Sequence, residues 1–366
     1  MTVRIFVPRW MDQENTNAQN ANARALLSRF SDPRARWTAV RSRESAPSVR
    51  QKNIYILPVS STRFWHHRLA LAYQSRFDAI FYPGHDWADE LGIKMRRFAR
   101  RRIPLIATME GIIASSDALR HVSELVGHPV FSQPGTDPGI PRIRGLYEAS
   151  DHIIAVSPFL ARVSNALYGN KVSYLPLGIE TGIFHDSGRC EPERVRVVSC
   201  GTVKGSKSPD AFLRLAARYK QADFVWFGDG VQRESLIVEA KRLGLENLNF
   251  PGALPPERLA EEFRRSSLFI LPSHAEGVPK VTQEAAACGL PIVLFGFYEA
   301  PTVVHEANGL VAWSDDEFIE HVGSLIDNPM IRQAMGERGA AMAKHWSWDH
   351  LAPRWEQLII RLASSC

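Results

Sequence analysis

The sequence predicts an α/β protein built from two parallel-sheet domains that face each other across a cleft. Its 366 residues exceed the length that one hydrophobic core normally serves. Short apolar runs alternate along the chain with amphipathic segments of helical length, which is typical of βαβ units. The runs are continuously apolar, as expected of parallel strands that are covered by helices on both faces.

The predicted strands are the short runs rich in β-branched and aromatic residues. In the first half they are Val3–Pro8, Ile54–Pro58, Ala79–Tyr82, Leu105–Thr108, Ile153–Val156 and Val172–Leu175. In the second half they are Val195–Cys200, Phe224–Phe227, Leu248–Phe250, Leu268–Leu271 and Pro291–Phe295. Predicted helices between them include Ser208–Tyr219, Gln232–Leu243 and Pro256–Arg265.

The boundary between the domains is predicted near Leu177–Arg194, where periodicity is lost and Gly, Pro and charged residues increase. The first domain then comprises residues 1–178 and the second residues 179–345. Residues 346–366 are expected to form a C-terminal helix that packs back on the first domain. Its three tryptophans are expected to be packing anchors: Trp346, Trp348 and Trp355.

The composition is that of an ordinary globular protein. Hydrophobic residues make up 45% and charged residues 23%, which argues against disordered and fibrous classes. No apolar run reaches the roughly 18 residues that span a bilayer, and the first residues lack the features of a secretory signal. The four cysteines show no metal-binding spacing and are too few for a disulfide framework. We therefore expect a reduced, cytoplasmic enzyme.

Charge is unevenly distributed between the two halves. Residues 1–182 contain 24 Lys and Arg against 15 Asp and Glu, whereas residues 183–366 contain 20 against 24. The densest basic cluster is Lys94–Arg102, with apolar residues interleaved. A solvated helix face and a patch that contacts an anionic membrane surface both fit this cluster. Nucleic acid ranks third because no nucleic-acid-binding motif accompanies the basic residues, and we expect no such partner.

The segment 273–293 predicts an anion site. It follows the apolar strand Leu268–Leu271, turns at Gly277 and Pro279, and continues as an Ala-rich helix. The amides at a helix N-terminus point outward, and the helix dipole favours a phosphate there. Glu276 and Glu284 flank the turn, and a carboxylate can accept hydrogen bonds from two adjacent sugar hydroxyls. Without further motifs, the simpler interpretation of two carboxylates at this spacing is that one lies at the start of the helix and the other on its solvated face.

Two other strand-to-helix turns contain glycine. Gly201 and Gly205 follow the strand Val195–Cys200 and carry Lys204 and Lys207. The next helix is predicted to begin at Ser208–Pro209, with Ser as the cap. The third turn contains Gly228, Asp229 and Gly230, where glycine would let a ligand or another backbone approach closely. Each turn is weak evidence alone, since basic loops and simple turns are common.

Together these motifs resemble the C-terminal half of GT-B glycosyltransferases, most closely the retaining glycosyltransferase family four. The resemblance covers roughly residues 172–363 and runs through the lysine-containing turn, GDG, FPG, LPS, EGVPKVTQEAAACGLPIV and the NGL of Asn308–Leu310. It implies the GT-B fold, with two Rossmann-like domains. The first half matches only in its strand–helix rhythm, in the domain where the family binds varied acceptors.

The resemblance implies roles for individual residues. Glu276 would contact the hydroxyls of the donor sugar, and Glu284 would hold the ribose. Lys207 would neutralise the diphosphate leaving group. The sugar and diphosphate would be received by the turn residues Gly277, Val278, Pro279, Lys280 and Val281.

The chain departs from the family pattern at two places. Thr202, beside the donor-binding Gly201, stands where the family often has Arg, and Lys204 is a hypothetical substitute for that charge. Glu110 stands where the family often has a His near the reacting sugar, and a loop carboxylate without a role is an equal alternative. The candidate acceptor-binding residues are Asn17, Asn20, His85 and Asp86.

The predicted function is transfer of a sugar, with retention of configuration, from a nucleotide diphosphate sugar to a hydroxyl of a glycan or lipid-linked acceptor. Such an enzyme would serve cell-surface polysaccharide or glycolipid synthesis, in the cytoplasm or at the inner face of the membrane. The resemblance implies no cofactor and no obligatory metal, and no DxD-type motif is placed to hold one. A nucleotide-sugar epimerase or phosphorylase of GT-B shape and a catalytically silent sugar- or lipid-binding scaffold are the alternatives. A nicotinamide oxidoreductase is disfavoured because G-x-G-x-x-G does not follow the first strand.

Overall fold

The computed structural model describes residues 2–10, 18–42, 50–51, 54–59, 76–84, 103–112, 114, 116–131, 140–169 and 171–364. Packing separates the chain into two compact units. Unit 1 comprises Met1–Ala118, Gly135–Gly178 and Trp348–Cys366, and unit 2 comprises Leu119–Pro134 and Ile179–Ser347. The segment Leu119–Pro134 therefore lies with unit 2, although it falls between two strands of unit 1 in the sequence.

Unit 1 is built on an eight-stranded sheet. Its strands are β1 (Val3–Trp10), β2 (Ala35–Ser42), β3 (Arg50–Gln51), β4 (Ile54–Val59), β5 (Ala79–Tyr82), β6 (Leu105–Met109), β7 (His152–Ala155) and β8 (Val172–Tyr174), in the order β3-β4-β2-β1-β5-β6-β7-β8. Seven strands are parallel, and the short β3 pairs antiparallel with β4. Its described helices are α1 (Ala18–Leu27), α3 (Ile140–Ala149), α4 (Pro158–Tyr168) and α11 (Trp348–Ser364), whereas α2 (Ser116–Val126) begins in unit 1 and lies mostly in unit 2.

The C-terminal helix α11 lies in unit 1. Trp348 and Trp355 are fully buried. The Trp355 indole N–H donates to the carbonyl of Pro176 at 2.9 Å, and the Trp348 ring packs so closely on Gly178 that a Cβ there would lie 2.6 Å from it. Trp346 precedes the helix and is half-buried. The two buried tryptophans thus pack α11 against Pro176 and Gly178, at the end of the Gly135–Gly178 segment of unit 1.

Unit 2 is built on a six-stranded parallel sheet. Its strands are β9 (Arg196–Cys200), β10 (Asp223–Phe227), β11 (Leu248–Gly252), β12 (Leu268–Leu271), β13 (Ile292–Phe295) and β14 (Gly309–Ala312), in the order β11-β10-β9-β12-β13-β14. Its helices are α5 (Pro209–Arg218), α6 (Arg233–Arg242), α7 (Pro256–Arg264), α8 (Lys280–Ala287), α9 (Asp315–Asp327) and α10 (Pro329–Ala343). The chain reverses direction across the sheet between β9 and β12, which is the topological switch point of a doubly wound fold.

Most of these strands were predicted from the sequence, and three were not. The α/β class with two Rossmann-like parallel sheets is confirmed. Strand β2 was missed because exposed Arg36 alternates with buried Ala35 and Trp37, so it lacks a continuous apolar run. Short β14 and the two-residue β3 were also absent from the prediction. No helix in the described part of the chain is long and apolar enough to cross a membrane.

Candidate active site

The candidate site lies at the switch point, where the carboxyl ends of β9 and β12 meet. In open α/β sheets, ligands bind in the crevice at this position. Strand β9 is followed by Gly201–Lys207, and β12 is followed by Ser273–Lys280. Because β9 and β12 are hydrogen-bonded neighbours, the two turns that the sequence predicted separately meet at one edge.

An ion pair joins the two turns. The Lys207 ammonium lies 2.5 Å from Glu276 Oε1 and 2.6 Å from Oε2. Ser273 donates its hydroxyl to Oε1 at 2.5 Å. The Glu276 side chain is only 4% exposed, so Lys207 and Ser273 replace the water that a buried carboxylate would otherwise need.

Glu284 lies in α8, the helix that directly follows the Glu276 turn. Its carboxylate is 16% exposed and lies 3.9 Å from the Lys280 ammonium, one turn earlier in the same helix. Burial raises the pKa of Glu284, and the Lys280 charge partly opposes that rise. The pKa of the Cys200 thiol is raised to about 12, mainly by burial and also by the Glu284 charge, while Lys207 opposes the rise, so Cys200 lies within the electrostatic reach of both residues.

Unpaired amides face outward at the start of α8. Within the described residues, the backbone N–H groups of Gly277, Val278 and Val281 donate to no group. Pro279 has no N–H to offer, and the N–H of Thr282 is taken by the Pro279 carbonyl at 2.9 Å. The predicted anion site therefore has fewer free donors than the five-residue turn implies.

The Lys207 turn is a single 3-10 turn, Gly205–Lys207, followed directly by α5. Pro209 begins this helix as expected, but the Ser208 side chain does not cap it. Ser208 adopts a left-handed conformation with φ of +52°, because it joins the 3-10 turn to the helix. Ser208 is thus the N-cap residue, as predicted, but without the side-chain hydrogen bond of a Ser cap. Lys204 and Thr202 are exposed, and Lys204 makes no ion pair with a described residue.

A cavity of about 320 Å³ adjoins the Lys207 turn at the carboxyl ends of β9, β10 and β11. Its walls include Cys200, Gly201, Thr202, Gly228, Asp229, Ala253 and Leu254. The backbones are very close here: a Cβ on Gly228 would lie 2.1 Å from the Gly201 carbonyl oxygen. Asp229 accepts the N–H of Ala253 at 3.1 Å, which ties the Gly228–Gly230 turn to the residues that follow β11.

Several predicted residues are not in this cluster. Glu110 directly follows β6 in unit 1 and is half-buried. Asn20 lies in α1 of the same unit. Asn17, His85, Asp86 and the basic cluster Lys94–Arg102 lie outside the described residues, so their predicted roles stay predictions.

Two side chains at this edge of the sheet were not predicted as site residues, and one of them, Ser273, contacts Glu276 directly. Ser273 belongs to the LPS motif that carried the resemblance, but a serine there gave no signal of contact with Glu276. Tyr298 follows β13 and is almost fully buried. Only the pairing of β12 with β13 places it near this edge.

A family model described as glycosyl transferases group 1 matches residues 184–342, which contain the whole Lys207–Glu276–Glu284 cluster. The matched segment coincides with most of unit 2, and the resemblance to GT-B glycosyltransferases is confirmed. Assignment to family four and to the retaining enzymes stays a prediction.

Curated relatives match about half of this chain. The chain is 29% identical to an alpha-galactosylglucosyldiacylglycerol synthase of Streptococcus pneumoniae over 230 residues, 57% of this chain and 60% of that protein. It is 28% identical to a D-inositol 3-phosphate glycosyltransferase of Segniliparus rotundus over 202 residues, 50% of this chain and 45% of that protein. The matches thus span about half to three-fifths of these relatives.

Solved structures share the fold over the full chain. A sucrose-phosphate synthase from Thermosynechococcus elongatus superposes with a TM-score of 0.80 at 15% identity and covers 100% of both chains. HepE from Anabaena, solved in complex with UDP-glucose, superposes with a TM-score of 0.71 at 16% identity, covering 99% of this chain and 100% of that one. At these identities the likeness establishes the GT-B fold of the chain.

Proposed function

We propose that this protein is a retaining glycosyltransferase that moves a sugar from a nucleotide diphosphate sugar to a hydroxyl of a glycan or lipid-linked acceptor. The observation that carries the proposal is the buried Lys207–Glu276 pair beside the unpaired amides that open α8. Lys207 supplies a cation for the leaving diphosphate, and Glu276 supplies a carboxylate that accepts hydrogen bonds from the sugar hydroxyls. They occupy the crevice where doubly wound folds bind nucleotides.

In this proposal the diphosphate lies against the amides of Gly277, Val278 and Val281, with Lys207 beside it. Negative charge grows on the diphosphate as the anomeric C–O bond breaks, and these fixed donors stabilise it without reorganising. The helix dipole of α8 acts in the same direction. No obligatory metal is needed in this scheme, since amides and ammonium supply the positive potential.

Glu284 and the neighbouring cavity are assigned to the nucleoside. The carboxylate accepts the ribose hydroxyls, and the cavity of about 320 Å³ lined by Thr202, Asp229 and Ala253 receives the base. Cys200 lines this cavity and interacts electrostatically with Glu284, which supports one continuous site. A UDP-sugar is the first donor to test, because HepE is described in complex with UDP-glucose.

The acceptor is proposed to be lipid-linked or a glycan, used in the cytoplasm or at the inner face of the membrane. The relative from Streptococcus pneumoniae is by name a glycolipid synthase, which supports a lipid-linked acceptor. Same-face attack by the acceptor hydroxyl, with the leaving phosphate taking its proton, would retain the anomeric configuration.

The test combines donor binding with turnover. A thermal-shift panel of UDP-, GDP- and ADP-sugars should show one donor that stabilises the protein; a ligand at 100 times its Kd adds about 2.7 kcal/mol. Glu284→Gln should lose turnover while keeping its unfolding midpoint, whereas retained turnover would remove Glu284 from the site. Incubating the donor without acceptor distinguishes the epimerase alternative, which would isomerise the sugar. A wild-type protein that binds a donor but never transfers or isomerises its sugar would be a scaffold.

A further inference from the structure

A second cavity in unit 2, of about 460 Å³, lies beside the carboxyl ends of β13 and β14. Its wall residues belong neither to the candidate active site nor to the cavity assigned to the base. Its volume falls within the range of roughly 300–1,000 Å³ that is usual for small-molecule sites. Three buried aliphatic side chains line its inner wall: Leu294, Ala300 and Val303.

Trp313 forms an open aromatic surface at this cavity. It directly follows β14, and 48% of the residue is exposed. Its six-membered ring packs on Gly296 so closely that a Cβ there would lie 2.5 Å from it. The ring centroids of His128 and Phe297 lie 5.2 and 5.8 Å from that of Trp313. The indole is thus held in place while much of it faces solvent, and such a ring can stack on the C–H face of a sugar.

Within the described residues, two N–H donors at the cavity lack a hydrogen-bond partner. One is the indole N–H of Trp313, since only the backbone of this residue is hydrogen-bonded. The other is on His305. Its Nδ1 accepts the Val311 N–H at 3.0 Å, so Nε2 carries the proton, and Nε2 lies 3.9 Å from the Glu306 carboxylate, too far for a hydrogen bond. Both donors are available to a hydroxyl oxygen.

Two carboxylates supply acceptors at the same cavity. Glu317 lies in the first turn of α9; its Oε2 accepts the Trp313 backbone N–H at 2.7 Å, and its Oε1 lies 3.4 Å from His321 Nε2. Glu299 Oε1 lies 2.9 Å from His128 Nε2. The two side chains are 36% and 33% exposed, and a carboxylate has about four acceptor positions. Each is therefore oriented by a protein neighbour and still accessible to hydroxyl donors.

This combination of groups selects against charged ligands. Among the described residues no Lys or Arg lines the cavity, and its two carboxylates repel a phosphate or another anion. A cation would pair with the carboxylates, but it would leave the indole and imidazole N–H groups without acceptors. A neutral sugar matches all of them, because it has an apolar C–H face and hydroxyls that both donate and accept.

We propose that this cavity is a binding site for a neutral sugar. The sugar stacks on Trp313, donates hydroxyl protons to Glu317 and Glu299, and accepts hydrogen bonds from the Trp313 and His305 N–H groups. It carries no nucleotide, because the nucleotide is assigned to other residues. In the proposed transferase this sugar belongs to the acceptor glycan; that role rests on the proposed function, whereas sugar binding does not.

The first experiment measures sugar binding to the full chain without a nucleotide. Saturation-transfer NMR with the methyl α-glycosides of glucose, galactose, mannose and N-acetylglucosamine should show saturable binding of at least one. Trp313→Ala should weaken that binding about 10-fold or more, and Trp313→Phe should weaken it less, because an aromatic ring remains. Tyr55→Ala is the matched control: Tyr55 is 47% exposed but lies in unit 1, so its removal should leave binding unchanged.

An isosteric variant keeps the test valid if Trp313→Ala does not fold. Glu317→Gln preserves the shape of the side chain and should weaken glycoside binding about 5-fold, since a hydrogen bond to a carboxylate is stronger than one to an amide. Failure of all these glycosides to bind, or unchanged binding in Trp313→Ala and Glu317→Gln, would overturn the proposal. Tetramethylammonium is the cation probe, and its binding in place of the glycosides would make the cavity a cation site.

Two further measurements separate this site from the donor site. UDP should bind Trp313→Ala as it binds the wild type and should not displace the glycoside; competition between the two would place the cavity within the donor site and overturn the inference. In a turnover assay, Trp313→Ala should raise the KM for the acceptor and leave the KM for the donor unchanged. A protein that binds glycosides through Trp313 but turns over no nucleotide diphosphate sugar would refute the proposed function and leave the sugar site standing.

Discussion

The Lys207–Glu276 ion pair gives the sharpest test of the site, because its two residues affect stability and donor binding differently. In Lys207→Ala the Glu276 carboxylate stays buried at 5% exposure and keeps only the Ser273 hydroxyl. Removing one partner of a buried pair costs about 3–5 kcal/mol. The Lys207 side chain is itself 24% exposed, so water can replace part of the lost contact. We therefore expect a loss of about 2–3 kcal/mol.

The measurement is urea unfolding of three variants, followed by donor titration. Glu276→Gln removes the charge but keeps the shape, so Lys207→Ala/Glu276→Gln should recover most of the stability that Lys207→Ala loses. Donor binding should not recover, because the diphosphate still lacks its cation. Turnover should fall about 10²- to 10³-fold in Lys207→Ala, the usual effect of removing one group that stabilises transition-state charge.

Two results would refute this reasoning. If Lys207→Ala unfolds at the wild-type urea concentration, the pair does not neutralise a buried charge. If the double variant binds donor as tightly as the wild type, Lys207 does not contact the diphosphate. Arg258→Ala is a suitable control, since Arg258 pairs with Glu261 at the surface with 63% of its side chain exposed, and its loss should change stability by less than about 1 kcal/mol.

Three further predictions concern the framework of unit 2. Gly228→Ala should cost about 3 kcal/mol or more in urea unfolding, because Gly228 has φ of +140° and faces the Gly201 carbonyl, whereas Gly182→Ala, with open space around it, should unfold like the wild type. Arg332→Ala should cost about 3 kcal/mol, since this buried guanidinium donates to two carbonyls near the end of α9; an unchanged unfolding midpoint would contradict that. In iodoacetamide labelling at pH 8, exposed Cys190 should react well before Cys200. The Cys200 thiol has a pKa of about 12, so its thiolate fraction and labelling rate should rise only toward that pH; equal rates at pH 8 would contradict its burial.

Much of the fold could be predicted because its signals are local. A buried parallel strand needs a continuous apolar run, and a strand-to-helix turn at the sheet edge needs glycine; both are visible in consecutive residues. Strand β2 shows the limit, since exposed Arg36 alternates with buried Trp37 although the strand is paired on both sides, so no continuous apolar run marks it. Leu119–Pro134 shows another: its place in unit 2 depends on packing such as the His128–Glu299 contact at 2.9 Å, which joins residues 171 positions apart.

Local sequence patterns sufficed to predict two α/β domains, the bounds of most strands, and the turns that carry glycine, lysine and glutamate. Which of those turns meet depends on how the strands pair in the folded chain. Lys207 and Glu276 are 69 positions apart and bond only because β12 is inserted beside β9 at the switch point. The same strand order brings Ser273 and Tyr298 to that edge. Hydrogen-bonded pairing between strands is a long-range property, so the partners of a buried carboxylate follow from the order of the strands and not from their composition.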